Sequence, residues 1–319
     1  MSSGWSEYDM PSLDGQTVVV TGANSGIGYE STRAFAAKGA TVVMACRSTE
    51  RGERAAAEIA ATVPDADLDV RECDLGDLSS VEAFADSFTA DYDELHVLCN
   101  NAGVMALPRG ETTDGFERQF GINHLGHFAL TGHLLETLAA TDGARVVTQS
   151  STAHEQGQID FDDLQHEASY GRWEAYGQSK LANVLFGYEL DRQADDADLD
   201  VTSVVCHPGY ADTDLQRRAG ASQGGVVGAI GGAVMQAVNV VVAQPQEQGA
   251  LPMLYAATDD SISGGEYVGP GGFMDMRGAP AVQDSSDRSY NRATATRLWE
   301  VSEELTGVEY AFEVPVAAD

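Results

Sequence analysis

The chain reads as one α/β domain, a doubly wound parallel sheet of about seven strands, and three observations predict it. Short β-branched runs alternate with helical stretches along most of the sequence. Successive strands are separated by helix-bearing segments, which makes the pairing parallel through crossovers. Finally, 319 residues with 43% hydrophobic content can bury one large core. No internal repeat or low-complexity segment points to a second unit, so 1–319 is taken as a single domain.

The first strand falls at 17–21, a run of Thr and Val. It is followed by Gly22, Ala23, Asn24, Ser25, Gly26, Ile27 and Gly28, then by a helical stretch to about Lys38. Strand, glycine-rich turn and helix in that order form a phosphate cradle. Glycine lets the backbone turn tightly and approach a ligand, and the helix N-terminus presents free N–H groups to a pyrophosphate. Further strands are expected at 41–45, 67–71, 95–99, 145–149 and 201–206, with a short one at 266–269. A last helix is expected at 292–306, carrying Leu298, Trp299 and Val301, beside the substrate pocket or a partner subunit.

The chain holds two lysines, and one of them, Lys180, follows Tyr176 by four residues. Leu181, Val184, Leu185 and Tyr188 recur at helical spacing across 174–193, so the phenol and the ammonium share a helix face. A positive charge beside a phenol favours the phenolate and lowers its pKa from about 10. Such a tyrosine suits proton exchange with a carbonyl/alcohol couple. For the pair alone, the alternative is an exposed tyrosine packed on a lysine stem.

Together these residues resemble the short-chain dehydrogenase/reductase family over most of the chain. The family's dinucleotide motif stands as Thr21, Gly22, Gly26, Ile27 and Gly28, and its strand-four motif as Asn100, Asn101, Ala102 and Gly103. Its structural asparagine matches Asn123. Its serine matches the end of the run from Arg145 to Ser151, where Ser151 is preferred and Ser150 is the alternative. His207, Pro208 and Gly209 follow the sixth strand, and Thr213 stands where the family meets the nicotinamide carboxamide. A long insertion, 154–174, precedes Tyr176. With Ser179 to Asn183 and Arg297 to Glu300, it is similar to the retinol-dehydrogenase-like branch, near protochlorophyllide reductases and WW-domain oxidoreductases.

The resemblance implies a Rossmann-type sheet of order 3-2-1-4-5-6-7 and an oxidoreductase acting on a bulky or lipophilic carbonyl or alcohol. It implies a catalytic set of Asn123, Ser151, Tyr176 and Lys180. Cofactor phosphates are expected over Gly22, Asn24, Ser25, Gly26, Ile27 and Gly28, and the adenine beside Asp74 and Leu75. Asn101, Ala102, Gly103, Pro208, Gly209 and Thr213 would line the rest of the channel, with Tyr176 and Lys180 at the nicotinamide ribose. Just after the second strand, Arg47 stands where an aspartate would favour a ribose diol. A guanidinium suits a 2′-phosphate, so NADP(H) is expected over NAD(H). Reduction of an activated C=C bond stays open, because the same tyrosine can protonate either product. A cofactor-sensing protein without chemistry fits less well, since all four catalytic positions are filled.

The formal charge is −32, from 50 acidic and 18 basic residues spread along the chain. Self-repulsion on that scale is relieved in molar salt, where the Debye length falls to about 3 Å, so a halophilic cytoplasmic protein is expected. The same charge argues against a nucleic-acid partner. Cys46, Cys73, Cys99 and Cys206 form no Cys-x-x-Cys pair and read as buried residues of a reducing compartment. His124 and His127 share a helix face, but neither they nor His133 have a carboxylate or cysteine at ligand spacing, so no metal is expected. His154 either lines the substrate pocket or caps a loop, and His207 orders the Pro-Gly turn.

Residues 1–16 read as a polar extension without a signal-peptide core, and 285–319 as a C-terminal helix and tail. The apolar stretch 226–243 nearly reaches membrane-spanning length, yet it contains Gln236 and Asn239 and falls inside the fold. Residues 210–245 are therefore read as a glycine-hinged substrate lid, with no integral membrane segment. In many relatives the helices around 123–141 and 176–193 form dimer faces, which leaves a homo-oligomer open.

Overall fold

The computed structural model describes residues 4–209, 245–272 and 275–312; the expected lid, apart from Pro245, and Thr213 lie outside them. Strand β1 (Thr17–Thr21) shows how the layers arise. Its three central valines are fully buried, and strand alternation sends Val18 and Val20 to one face and Val19 to the other. Burying such a side chain contributes about 1.5–3 kcal/mol. On the first face, helices α1 (Gly26–Ala37), α2 (Thr49–Ala60) and α8 (Gln246–Thr258) supply Phe35, Ile59 and Met253. On the second, α3 (Leu78–Asp91), α5 (Gly126–His133), α6 (Leu135–Ala139) and α7 (Arg172–Asp196) supply Phe84, Phe128, Leu138 and Phe186.

The remaining strands are β2 (Thr41–Cys46), β3 (Asp67–Glu72), β4 (Val97–Asn100), β5 (Ala144–Gln149), β6 (Val201–Cys206), β7 (Tyr267–Pro270) and β8 (Pro280–Gln283). The sheet order is β3-β2-β1-β4-β5-β6-β7-β8, with every pair parallel except β7 and β8. The expected order thus stands through β7, and an eighth, antiparallel strand extends the edge. Its four residues open on Pro280, which pairs with Pro270. Proline is tolerated in a ladder at an edge or a strand's first residue, and it removes the usual sequence signal of a strand.

Helix ends follow their caps. Asp77 accepts the Ser79 and Ser80 N–H groups at the start of α3. Asn291 caps α9 (Arg292–Thr306), and Gly307, at φ 70°, ends it. Helix α9 packs on α5 and α7, and its Ala295 and Leu298 join Leu181 and Leu185 of α7 in one apolar cluster. Trp299 stacks on Phe186 at 5.7 Å, and Tyr310 closes on Trp299 at 4.5 Å. The Tyr310 hydroxyl then donates to the Phe128 carbonyl at 2.6 Å. All four cysteines are free and buried. No helix among the described residues is long and apolar enough to cross a membrane.

Candidate active site

The glycine turn lies between β1 and α1. Gly22 has φ +67°, and a Cβ there would come 3.1 Å from that of Ala102; at Gly28 a Cβ would meet the Gly22 carbonyl and the Asn101 amide. Ser25 is extended at the N-cap of α1 and its side chain makes no cap bond, so first-turn N–H groups stay open to an anion. Asn24 is half-buried beside it, and Ile27 is buried.

Arg47 is exposed directly after β2, and Arg51 is half-buried one turn later in the first turns of α2. Glu50 lies 4.0 Å from Arg54. Among the described residues, neither Arg47 nor Arg51 has a carboxylate partner. Arg51 escaped the sequence reading, although its spacing from Arg47 across a helix start could have flagged it. After β3, Asp74 Oδ1 accepts the Gly76 N–H at 3.0 Å, and Leu75 is buried.

Asn101 and Ala102 each donate a backbone N–H to Thr21 Oγ1 at 2.9 Å. The Asn101 amide donates to the Thr21 carbonyl at 2.7 Å, so this side chain braces β4 on β1. Gly103 passes close to two of the candidate catalytic residues: a Cβ there would lie 3.2 Å from Asn123 Oδ1 and 3.5 Å from Lys180 Nζ. Beyond β6, Gly209 donates its N–H to His207 Nδ1 at 3.2 Å, while His207 Nε2 meets Gln283 Oε1 at 2.9 Å. His207 therefore does order the turn that carries Pro208.

Where β5 ends, the two candidate serines part. Ser150 is buried and donates to the Lys180 carbonyl at 2.8 Å, whereas Ser151 is half-buried, its hydroxyl accepting the Ala153 N–H at 3.2 Å. Lys180, 4% exposed, donates to the Gln149 carbonyl at 3.0 Å and sits 6.0 Å from the centre of the Tyr176 ring. Burial pushes the Lys180 ammonium down to about 8. It also raises the Tyr176 phenol, with Ser151 pulling the other way. Desolvation therefore dominates at Tyr176, against the lowering expected from a neighbouring lysine alone.

Asn123 is fully buried on a π turn (Gly121–Leu125), where the Gly126 N–H reaches back to the Gly121 carbonyl. This turn follows the short helix α4 (Arg118–Phe120). Its side chain accepts from the Val104 N–H at 2.7 Å and donates to the Val104 carbonyl and to Ser179 Oγ, both at 2.9 Å.

His154 ties the loop after β5 to the Ser286 backbone. It is buried behind Ser151, with Nδ1 2.7 Å from the Ser151 carbonyl and Nε2 accepting the Ser286 N–H at 3.0 Å. Among the described residues no three His, Cys, Asp or Glu side chains cluster as metal ligands. The insertion before α7 is pinned by Tyr170, whose hydroxyl donates to the Leu107 carbonyl at 2.8 Å. Trp173, 52% exposed, stands edge-on to Tyr176 at 6.1 Å.

A nucleotide cradle at the strand ends and a Ser-Tyr-Lys group beside it define a class. The short chain dehydrogenase profile matches residues 16–224, and the chain belongs to the short-chain dehydrogenase/reductase family. It is an oxidoreductase of the kind that uses a nicotinamide cofactor to interconvert carbonyls and alcohols. More particularly, it is similar to human retinol dehydrogenase 12, with 41% identity over 300 residues, covering 93% of this chain and 88% of that one. Human retinol dehydrogenase 11 is 40% identical over 296 residues, covering 93% and 87%. A crystal structure of an uncharacterised protein from Mycobacterium paratuberculosis matches with TM-score 0.79 and 42% identity, covering 97% of this chain and 100% of that one. A short chain dehydrogenase from Shigella flexneri complexed with NADP shares the fold at TM-score 0.61 and 23% identity, covering 81% and 98%.

Proposed function

We propose that the protein is an NADP(H)-dependent enzyme interconverting a bulky or lipophilic carbonyl compound and its alcohol, with Tyr176 as the proton donor and acceptor. The observation that carries this reading is the Lys180 ammonium 6.0 Å from the centre of the buried Tyr176 ring, with Ser151 acting on the same phenol. The open glycine cradle fits a pyrophosphate over Gly22, Asn24, Ser25, Gly26, Ile27 and Gly28. Arg47 and Arg51, two guanidiniums without carboxylate partners among the described residues, fit a 2′-phosphate. Asp74 and Leu75 would hold the adenine. Asn101, Ala102, Gly103, Pro208 and Gly209 would flank the nicotinamide half, and Thr213 is assigned there on sequence alone. When bound, the cofactor supplies or accepts the hydride.

In the reducing direction negative charge grows on the substrate oxygen. Tyr176 donates its proton there, and Ser151 supplies a second hydrogen bond. The phenolate left behind is opposed by Lys180, which lowers the cost of proton loss. In oxidation the same phenolate takes the alcohol proton. Asn123 ties the Val104 loop to Ser179 and so keeps α7 in register with the cofactor side. The exposed indole of Trp173 beside Tyr176 favours a bulky apolar substrate, as does the likeness to proteins named retinol dehydrogenases.

The test is NADPH consumption in molar KCl across aldehydes, ketones and enones of increasing apolar bulk. Turnover should be strongest with the bulky aldehydes and ketones. NADPH binding with no turnover on any carbonyl would overturn the proposal.

A further inference from the structure

The loop from Asn101 to Val104 is gripped at two points, and one buried imidazole joins the grips. At its start, Thr21 Oγ1 accepts the Asn101 and Ala102 N–H groups, both at 2.9 Å. At its end, the Asn123 side chain holds both the N–H and the carbonyl of Val104, at 2.7 and 2.9 Å. His127 lies between, 1% exposed, with Nε2 2.9 Å from Thr21 Oγ1 and Nδ1 3.0 Å from the Asn123 carbonyl. We infer that His127 is a positioning residue that couples the cofactor-side grip of Thr21 to the catalytic-side grip of Asn123.

The direction of each bond follows from counting donors. A carbonyl can only accept, so His127 Nδ1 carries the proton. Thr21 Oγ1 already accepts two N–H bonds, which occupy both lone pairs, so its own hydrogen must be donated. The candidates are His127 Nε2 at 2.9 Å and the Cys99 carbonyl at 3.2 Å. Burial pushes His127 down to about 4, so the ring is neutral at working pH and Nε2 offers a lone pair. The result is a continuous chain: Asn101 and Ala102 N–H to Thr21, Thr21 to His127, His127 to Asn123.

Gly103 sits inside this loop against Asn123 and Lys180, so the separation of the two grips sets the space at the reacting groups. From Asn123 the chain continues through Ser179 Oγ to the Tyr176 carbonyl, at 2.9 and 2.8 Å. His127 touches neither substrate nor cofactor, and it acts through Thr21 and Asn123.

The inference rests on the proposed reading of the site, and its test separates the two. Three variants divide the ring's roles. His127→Phe keeps a ring without nitrogens; His127→Asn restores an N–H where Nδ1 stood; His127→Gln reaches the Nε2 position. The Phe variant should lower kcat and raise the KM for NADPH, each about tenfold. Asn should rescue most of kcat but not the KM, and Gln most of the KM but not kcat. Equal losses in all three, or none, would overturn the coupling. If the Phe variant does not fold, the opposite rescues by Asn and Gln decide. A Tyr176→Phe control read by NADPH affinity keeps the tests apart: if it still turns over, the proposed chemistry fails, while the NADPH affinities of the His127 series still report on the bridge.

Discussion

Lys180 stands one helical turn from Tyr176, its Nζ 6.0 Å from the centre of the phenol ring, yet its hydrogen bond goes to the Gln149 carbonyl at 3.0 Å. The ammonium is thus held by the end of β5 rather than by the phenol. Burial brings its pKa from 10.5 to about 8, so keeping it charged costs folding free energy. Between pH 8 and 10.5 the unfolded chain binds the extra proton, so stability should climb as pH rises through that window.

Lys180→Met should therefore raise the melting temperature at pH 7, by at most about 3 kcal/mol in stability, and remove the climb above pH 8. It should also abolish turnover, because the Tyr176 phenolate loses its counter-charge. Thermal melts from pH 6 to about 10.5, with activity measured alongside, check both halves.

Alcohol oxidation needs Tyr176 as phenolate, and carbonyl reduction needs it as phenol. Because burial raises that phenol, kcat/KM for oxidation should rise with pH and that for reduction should fall at alkaline pH. Parallel profiles in the two directions would contradict the assignment.

Arg47 and Arg51 meet no carboxylate among the described residues, and the proposed function gives them the 2′-phosphate. Arg47→Ala should raise the KM for NADPH at least about tenfold while barely changing that for NADH, since a charge-assisted contact contributes about 1.5–3 kcal/mol. Arg51→Ala should act in the same direction. An unchanged NADPH/NADH ratio in the double variant would remove both from the phosphate site.

Trp299 packs on Phe128, Phe186 and Tyr310, on the outer side of α5 and α7. Trp299→Ala should cost about 3–5 kcal/mol in a denaturant titration. Its ring contacts are with Phe128, Phe186, Tyr310 and Phe312 and not with Tyr176, so kcat of the folded fraction should stay unchanged.

A chain at −32 should melt at higher temperature in molar KCl than in dilute buffer, with the gain saturating as the Debye length falls to a few Å. Equal melting temperatures would remove self-repulsion from the account.

The strands were readable wherever a β-branched run met a helix-length crossover, as at Thr17–Thr21 and Val201–Cys206. Strand β8 was not, because Pro280 breaks the signal and its pairing depends on a partner that the local sequence does not name. Glycine turn, tyrosine and lysine were legible because close backbone approach and shared helix faces leave fixed spacings. Between Ser150 and Ser151, sequence could not say that Ser150 spends its hydroxyl on the Lys180 carbonyl, a contact that exists only once α7 packs on β5. The role of His127 was invisible, since its partners, Thr21 and the Asn123 carbonyl, meet it only in the folded chain. Nor could sequence weigh how far burial raises the Tyr176 phenol, which depends on how completely α7 is enclosed.

The central claim is that Tyr176 transfers the proton with Ser151 beside it. The most direct measurement is single-turnover NADPH oxidation in molar KCl for the wild type, Tyr176→Phe and Ser151→Ala, with NADPH affinity measured in parallel. The account predicts at least about a hundredfold slower turnover for Tyr176→Phe, a marked loss for Ser151→Ala, and unchanged NADPH affinity in both. Wild-type turnover in Tyr176→Phe would contradict it.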